Sequence, residues 1–139
     1  MADISQTPAN VLKSSSGNAT HGLIAGSTLV AGKVVYADST DSNKLKLADS
    51  NGTTPANSVT GMMLDGGGSG QPVSIVTEDP ALNVGATLTA GDVIYLSDTP
   101  GGITATYADI LSGSTVITLG VANTDGTLNF KPVVGGVKP

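Results

Sequence analysis

Two stretches of the chain read almost alike: GSTLVAGKVVY at residues 26–36 and GATLTAGDVIY at residues 85–95. They agree at seven of eleven positions and begin 59 residues apart. Self-similarity at a fixed spacing is the sequence signature of a repeated structural unit. The pair therefore predicts that the chain builds one small unit twice.

The similarity continues downstream of the quoted stretches at nearly the same spacing. The Ala-Asp pair at 48–49 recurs at 108–109, Gly61 recurs as Gly120, and Pro72 recurs as Pro132. Elements that return in the same order indicate two copies of one unit. We place the copies at residues 26–79 and 85–135.

Each copy is expected to contain about four short strands joined by tight turns. Residues 33–37, KVVYA, and 92–97, DVIYLS, each contain successive apolar residues, as in strands covered on both faces. Leu45 and Leu47 alternate with lysines, a pattern typical of a strand with one wet face. Asp, Asn and Gly are concentrated between these runs and favour turns. Residues 77–80, which contain Glu78 and Asp79, are interpreted as a turn between the copies, and a helical turn is expected only at 107–111.

A four-stranded unit of this size is marginal alone because it buries too little apolar surface. The chain of 139 residues is therefore expected to be all-β: a small β-sandwich or closed barrel in which two pseudo-twofold-related copies share one core. Residues at matching positions of the two copies should then occupy equivalent places. The pairs are Leu29 with Leu88, Val34 with Val93, and Tyr36 with Tyr95.

Residues 1–25 differ from the β domain at 26–139. They show no sustained apolar period, and their SSSGN run has the composition of a flexible linker. We expect an extended N-terminal arm whose removal should leave a folded β domain. Its sparse apolar residues are Ile4, Val11, Leu12, Leu23 and Ile24.

Composition argues against several classes of function. The formal net charge is −5 with only six Lys and Arg, whereas a sequence-independent nucleic-acid binder needs clustered cations. No apolar run approaches the ~18 residues of a membrane span, and the N-terminus lacks the pattern of a signal peptide. The chain contains no cysteine, so thiolate chemistry is excluded.

No catalytic, cofactor or metal site is predicted. His21 is the only histidine and has no acidic residue beside it in the sequence, so we expect a solvated or interface side chain. Residues 66–71, GGGSGQ, lack the spacing of a nucleophile elbow and the Lys-Ser/Thr ending of a phosphate loop. Residues 38–43, DSTDSN, lack the ligand spacing of a calcium loop and are interpreted as a surface turn.

Several stretches together resemble a family of small tailed-phage head proteins, the decoration or cement proteins of the capsid. They include AGSTLVAGKVVYAD at 25–38, DGGGSGQPV at 65–73, GDVIYLSDTPGGI at 91–103 and TLGVA at 118–122. With MADI at 1–4, KLKLADS at 44–50 and the closing GGV, the resemblance covers nearly the whole chain.

The resemblance implies a β-rich protein without enzymatic activity or cofactor. It implies a virion location on the outer surface of the capsid, after synthesis in the bacterial host cytoplasm. The implied partners are the major capsid protein, at junctions between its subunits, and copies of this chain in a homotrimer. The N-terminal arm is then the candidate for the capsid contact, anchored by its five apolar residues, Ile4, Val11, Leu12, Leu23 and Ile24. An acidic chain suits the outer face of a shell, away from packaged DNA.

Other readings stay open at this point. A sugar-binding or host-surface-binding β module usually stacks Trp or Tyr on sugar rings, but the chain has no Trp. A small hydrolase or lyase would need an acid–base pair that the sequence does not offer. A tail or fibre component of the virion is not separated from a capsid protein by any sequence feature.

Overall fold

The protein is built almost entirely from β-strands. The computed structural model describes residues 3–53 and 55–139, and no α-helix occurs in that part of the chain. The strands are β1 (Val11–Leu12), β2 (Asn18–Ile24), β3 (Val34–Asp38), β4 (Lys44–Leu47), β5 (Gly61–Met63), β6 (Pro72–Val84), β7 (Val93–Leu96), β8 (Ile103–Thr104), β9 (Thr115–Ala122) and β10 (Leu128–Val137). Short 3-10 turns lie at Pro8–Asn10 and Tyr107–Asp109, and the second falls where a helical turn was predicted.

The strands form one curled antiparallel sheet with the shape of a half-barrel. Along the sheet the strand order is β4-β3-β5-β6-β10-β9-β7-β8, and β1 and β2 both pair with β6. The prediction of an all-β fold is therefore confirmed. β6 is the strand on which the other parts of the chain converge.

Within the first half of the sheet, β3 and β5 are buried on both faces. Successive residues of a strand point to opposite faces, and along β3 they enter two different cores. Val34 and Tyr36 lie in the larger core, whereas Val35 lies in the smaller one. Met62 and Met63 of β5 divide between the two cores in the same way. The apolar run at 33–37 thus belongs to a strand covered on both sides, as predicted.

The second half of the sheet is buried mainly on its inner face. Ile94 and Leu96 of β7 are fully buried in the larger core, but Val93 and Tyr95 are partly exposed. The prediction of coverage on both faces is therefore wrong for β7. The smaller core, which includes Ala25, packs only against the first half of the sheet.

Residues at matching sequence positions do not share environments, contrary to our expectation. Leu29 packs in the smaller core and Leu88 in the larger one. Val34 is fully buried, whereas its counterpart Val93 is partly exposed. The inward-facing residues of β7 are one residue out of phase with those of β3. A change of one residue reverses the face of every side chain, because the strand period is two.

Residues 77–80 do not form a turn. β6 runs without interruption from Pro72 to Val84, and Asp79 lies opposite Phe130 of β10. Asp79 is fully buried in that position. The polar pair and the proline that follows it resemble a turn locally, but the carboxylate of Asp79 has partners far away in the sequence, which are described below.

Candidate interaction surface

The N-terminal segment, residues 3–25, lies on its own domain. β1 pairs with β6 at Val11↔Val84, and β2 pairs with the earlier part of the same strand. The segment also covers both ends of the sheet. The amide of Ile4 donates to the Ile103 carbonyl of β8 at 2.8 Å, and Ala25 forms a bridge with Leu45 of β4. The segment thus protects sheet edges that would otherwise be open.

The five apolar residues predicted to bind a partner divide into two groups. Ile4 packs against the larger core, Leu23 packs against the smaller core, and Val11 is only 9% exposed. Leu12 and Ile24 are 69% and 38% exposed. Three of the five therefore help to hold the segment in place, and two remain accessible. The partner-binding role of all five stays a prediction.

A buried carboxylate fixes the part of the segment that resembles a linker. The Ser14 amide donates to Asp79 Oδ2 at 2.7 Å, and the Ser14 hydroxyl donates to Oδ1 of the same carboxylate. Gly17 packs so closely here that a Cβ atom would lie 2.6 Å from Asp79 Oδ2. The serine-rich run is therefore held in one conformation by contacts that its composition does not reveal.

Gln6 makes a second link between the segment and the domain. Its Nε2 donates to the carbonyls of Gly32 and Val84, both at 2.9 Å. These acceptors precede β3 and end β6, so one side chain joins two parts of the fold. Sequence reasoning missed Gln6 because no local pattern marks it.

A second group of exposed apolar residues lies around the end of β10 and the adjoining turn. We call this group the C-terminal patch: Tyr107, Leu111, Val133, Val134 and Val137. The C-terminus is hydrogen-bonded to the turn before β9: the Lys138 amide donates to the Ser114 carbonyl, and the Gly113 amide donates to the Lys138 carbonyl. Because Val133 and Val134 are adjacent in β10, their side chains point to opposite faces, so the group lies on both sides of the chain end.

Lys138 and Asp98 hold the turn beneath this patch. Lys138 Nζ donates to the carbonyls of Tyr107 and Ile110 at 3.0 and 2.5 Å and lies 4.4 Å from the centre of the Tyr107 ring. Burial of the Asp98 carboxyl raises its pKa, but hydrogen bonds from the Ser50 hydroxyl and the Leu111 amide outweigh burial, and the net pKa is lowered. The turn is therefore ordered by charged groups at both ends.

Two further titratable groups with side-chain partners lie at His21 and Asp38. His21 is exposed, and its Nδ1 lies 2.8 Å from the Ser74 hydroxyl. Lys46 Nζ lies 2.7 Å from Asp38 and 3.0 Å from Asp41 in the 38–43 turn. The hydrogen bond from Lys46, with others from Thr40, lowers the pKa of Asp38 to about 2. This cluster is an ion-pair network that stabilises a turn.

Among residues 3–53 and 55–139, no three His, Asp or Glu side chains are grouped so that they could hold a metal ion. In those same ranges no helix is long and apolar enough to cross a membrane.

An open groove of about 500 Å³ lies beside β1. Its walls are formed by residues 9–12 and by residues 83 and 85–87, and none of these side chains is titratable. The groove therefore offers apolar and amide contacts but no acid–base chemistry. Leu12, the most exposed of the predicted anchors, is one of the lining residues.

Comparison with known proteins gives no relative: no protein-family model, no curated protein and no solved structure matches this chain.

Proposed function

We propose that the protein is a non-enzymatic virion protein that binds the outer surface of a tailed-phage capsid and stabilises the shell. It would bind at junctions between major capsid subunits, where one molecule contacts more than one subunit. The observation that carries this proposal is the set of motifs, spread over nearly the whole chain, that resemble capsid decoration proteins. The all-β fold is the architecture that such a resemblance implies.

We propose further that the domain arose from two copies of one four-stranded unit. The strand order supports this. The first copy contributes β4-β3-β5-β6 in that order across the sheet, and the second contributes β8-β7-β9-β10 when it is read from the other edge. Strands β3, β4, β5 and β6 thus match β7, β8, β9 and β10. Such an arrangement is expected when two like units meet along their last strands. The copies then diverged, since the smaller core packs only against the first.

In this proposal Leu12 and Ile24 contact the capsid, while Ile4, Val11 and Leu23 fix the segment that presents them. Leu12 stands beside the open groove, and Ile24 ends β2 at the opposite end of the segment. A specific protein contact buries about 800 Å² per partner. A homotrimer would make three such contacts at once, so its avidity would exceed that of a single site.

The protein would stabilise the shell by binding its assembled state and not its free subunits. A protein that binds only the assembled, expanded shell shifts the equilibrium toward that shell by mass action. The free energy of binding then opposes the outward pressure of packed DNA. A net charge of −5 suits the outer face, because the protein has no attraction for the DNA inside.

The test compares capsids of the encoding phage with and without the protein under heat and osmotic shock. We expect decorated particles to survive conditions that open undecorated ones. The double variant Leu12→Ser/Ile24→Ser should fold but fail to protect. Val121→Ser, which changes an exposed valine on β9, is the matched control and should protect fully. Equal survival of decorated and bare particles would contradict the proposal.

A further inference from the structure

The last strand of the sheet leaves one edge open. β10 pairs with β9 along its length, but its pairing with β6 is confined to Leu128 and Phe130. From Lys131 to Val137, no second strand among the described residues pairs with β10. The open edge presents backbone groups that another extended chain can bind.

Both faces of this strand segment are accessible. Val133 and Val134 are adjacent, so their side chains point to opposite faces, yet they are 57% and 53% exposed. Val137 is exposed as well. Gly136 has no atom within 4 Å of the position of a Cβ, so its surroundings are open. The segment therefore projects beyond the core.

This open edge contrasts with the other sheet ends. The N-terminal segment covers β8 through Asp3 and Ile4, and it covers β4 through Ala25. The chain therefore protects two edges with its own residues and leaves the valine-bearing edge uncovered. An apolar edge left open in a chain that protects the others indicates a binding surface.

The charges at this edge select against a second copy. The segment reads KPVVGGVKP at 131–139, with a Lys-Pro pair on each side of the apolar run. If two copies paired antiparallel along this run, Lys131 of one would lie opposite Lys138 of the other. Like charges directly opposite each other destabilise a strand pair, so self-pairing is disfavoured.

We propose that the β10 edge from Lys131 to Lys138 binds a short extended segment of a different protein, one with a carboxylate on each side of an apolar run. The two lysines lie seven residues apart, roughly 20 Å along a strand. Lys131 is exposed and would pair with one carboxylate, whereas Lys138 Nζ, which is held by the Tyr107 and Ile110 carbonyls, would attract the other through its charge. The valines would pack against the apolar run. This inference goes beyond the proposed function and does not depend on it, because the edge and its charges are properties of the chain alone.

The geometry also limits the length of the bound segment. The register of β10 on β9 shifts between Phe130 and Val133 and again between Val134 and Val137. Such irregularities bend and twist a strand, and Pro132 has no amide hydrogen to donate. A long flat strand therefore does not fit, and the backbone hydrogen bonds to the bound segment are confined to a few residues around the valines. Because so few backbone bonds form, the charges of the lysines contribute much of the preference for an acidic segment.

The experiment titrates the full-length, isotope-labelled protein with synthetic peptides and follows its amide NMR signals. The probe is acetyl-EVTVTVTE-amide, and the comparison peptide is acetyl-KVTVTVTK-amide. We expect the acidic peptide to shift the signals of residues 115–118 and 131–138 and the lysine peptide to bind at least about fivefold more weakly. High salt should reduce the difference between the peptides, because it screens exposed charges.

Charge reversal of one lysine then tests the assignment. Lys131→Glu should weaken binding of the acidic peptide roughly fivefold. Lys44→Glu makes the same change at an exposed site on β4 and should leave that binding unchanged. Equal affinity for the two peptides, no binding at millimolar concentration, or shifts confined to other strands would each overturn the proposal. So would self-association in sedimentation equilibrium that Val134→Glu abolishes. None of these outcomes bears on the capsid-stability test.

Discussion

The buried carboxylate of Asp79 accepts a hydrogen bond at 2.7 Å from the backbone amide of Ser14, 65 residues earlier in the chain. A second bond comes from the Ser14 hydroxyl, and the Ala81 amide donates to the same carboxylate at 3.0 Å. One side chain in the middle of β6 therefore holds the N-terminal segment to the domain. Because the carboxylate is removed from water, each of these bonds counts toward stability.

Replacing Asp79 should loosen the N-terminal segment. Asp79→Ala leaves the Ser14 amide without its charged acceptor, and we expect the free energy of unfolding to fall by about 2–3 kcal/mol. Urea denaturation measures the loss. Glu78→Ala changes the exposed neighbour on the same strand and should cost less than about 0.5 kcal/mol. Similar losses in the two variants would show that the link to Ser14 contributes nothing specific.

Deletion of residues 1–25 should destabilise the whole domain. The deletion removes β1 and β2 from β6, opens the edges of β4 and β8, and strips the smaller core of Leu23 and Ala25. We expect a chain that aggregates or unfolds without a cooperative transition, contrary to the expectation from sequence. Removal of Pro139 alone is the control and should preserve the transition. A soluble truncated domain with native amide dispersion would mean that the segment is dispensable.

Gly120 in β9 should tolerate no side chain. Its φ is 149°, and a Cβ there would lie 1.9 Å from the Asn129 carbonyl oxygen of β10. Gly120→Ala should therefore force the two strands apart and cost at least about 3 kcal/mol. Gly136→Ala, on β10, adds the same methyl group in open space and should cost under about 1 kcal/mol. Thermal unfolding of both variants checks the difference, and a small effect at Gly120 would argue against this strand pairing.

Acid should remove the contribution of Asp38. The hydrogen bond from Lys46 lowers the pKa of Asp38 in the folded protein to about 2, below the ordinary value of 3.8. A lowered pKa stabilises the folded state above pH ~4, and this stabilisation is lost as the pH falls toward 2. The pH dependence of the melting temperature between pH 5 and 2 should be shallower in Asp38→Asn than in the native protein. NMR titration of the Asp38 carboxyl carbon gives the pKa directly, and a value near 3.8 would contradict the ion pair.

The sequence predicts the β-strands of this protein better than it predicts their relationships. The runs at 33–37 and 92–97, the alternation of Leu45 and Leu47, and the turn at 107–111 all lie close to observed elements. These are local signals, since period and turn composition are set by neighbouring residues.

Long-range partners explain where the prediction failed. Nothing near Asp79 indicates that its carboxylate is bonded to Ser14, so the local sequence favours a turn where the structure has a strand. Val34 and Val93 occupy matching sequence positions but face differently, because a strand's face depends on its phase relative to the whole sheet. Likewise, the fit of the SSSGN run against Asp79 depends on residues that lie far along the chain.

The number of copies in purified particles tests the proposed function most directly. Quantitative mass spectrometry of intact virions of the encoding phage gives the ratio of this chain to the major capsid protein. Capsid decoration predicts a ratio on the order of one to one or another simple fraction that saturates on expanded shells. A handful of copies per virion, as for a tail or fibre component, or the absence of the chain from virions, would contradict the proposal.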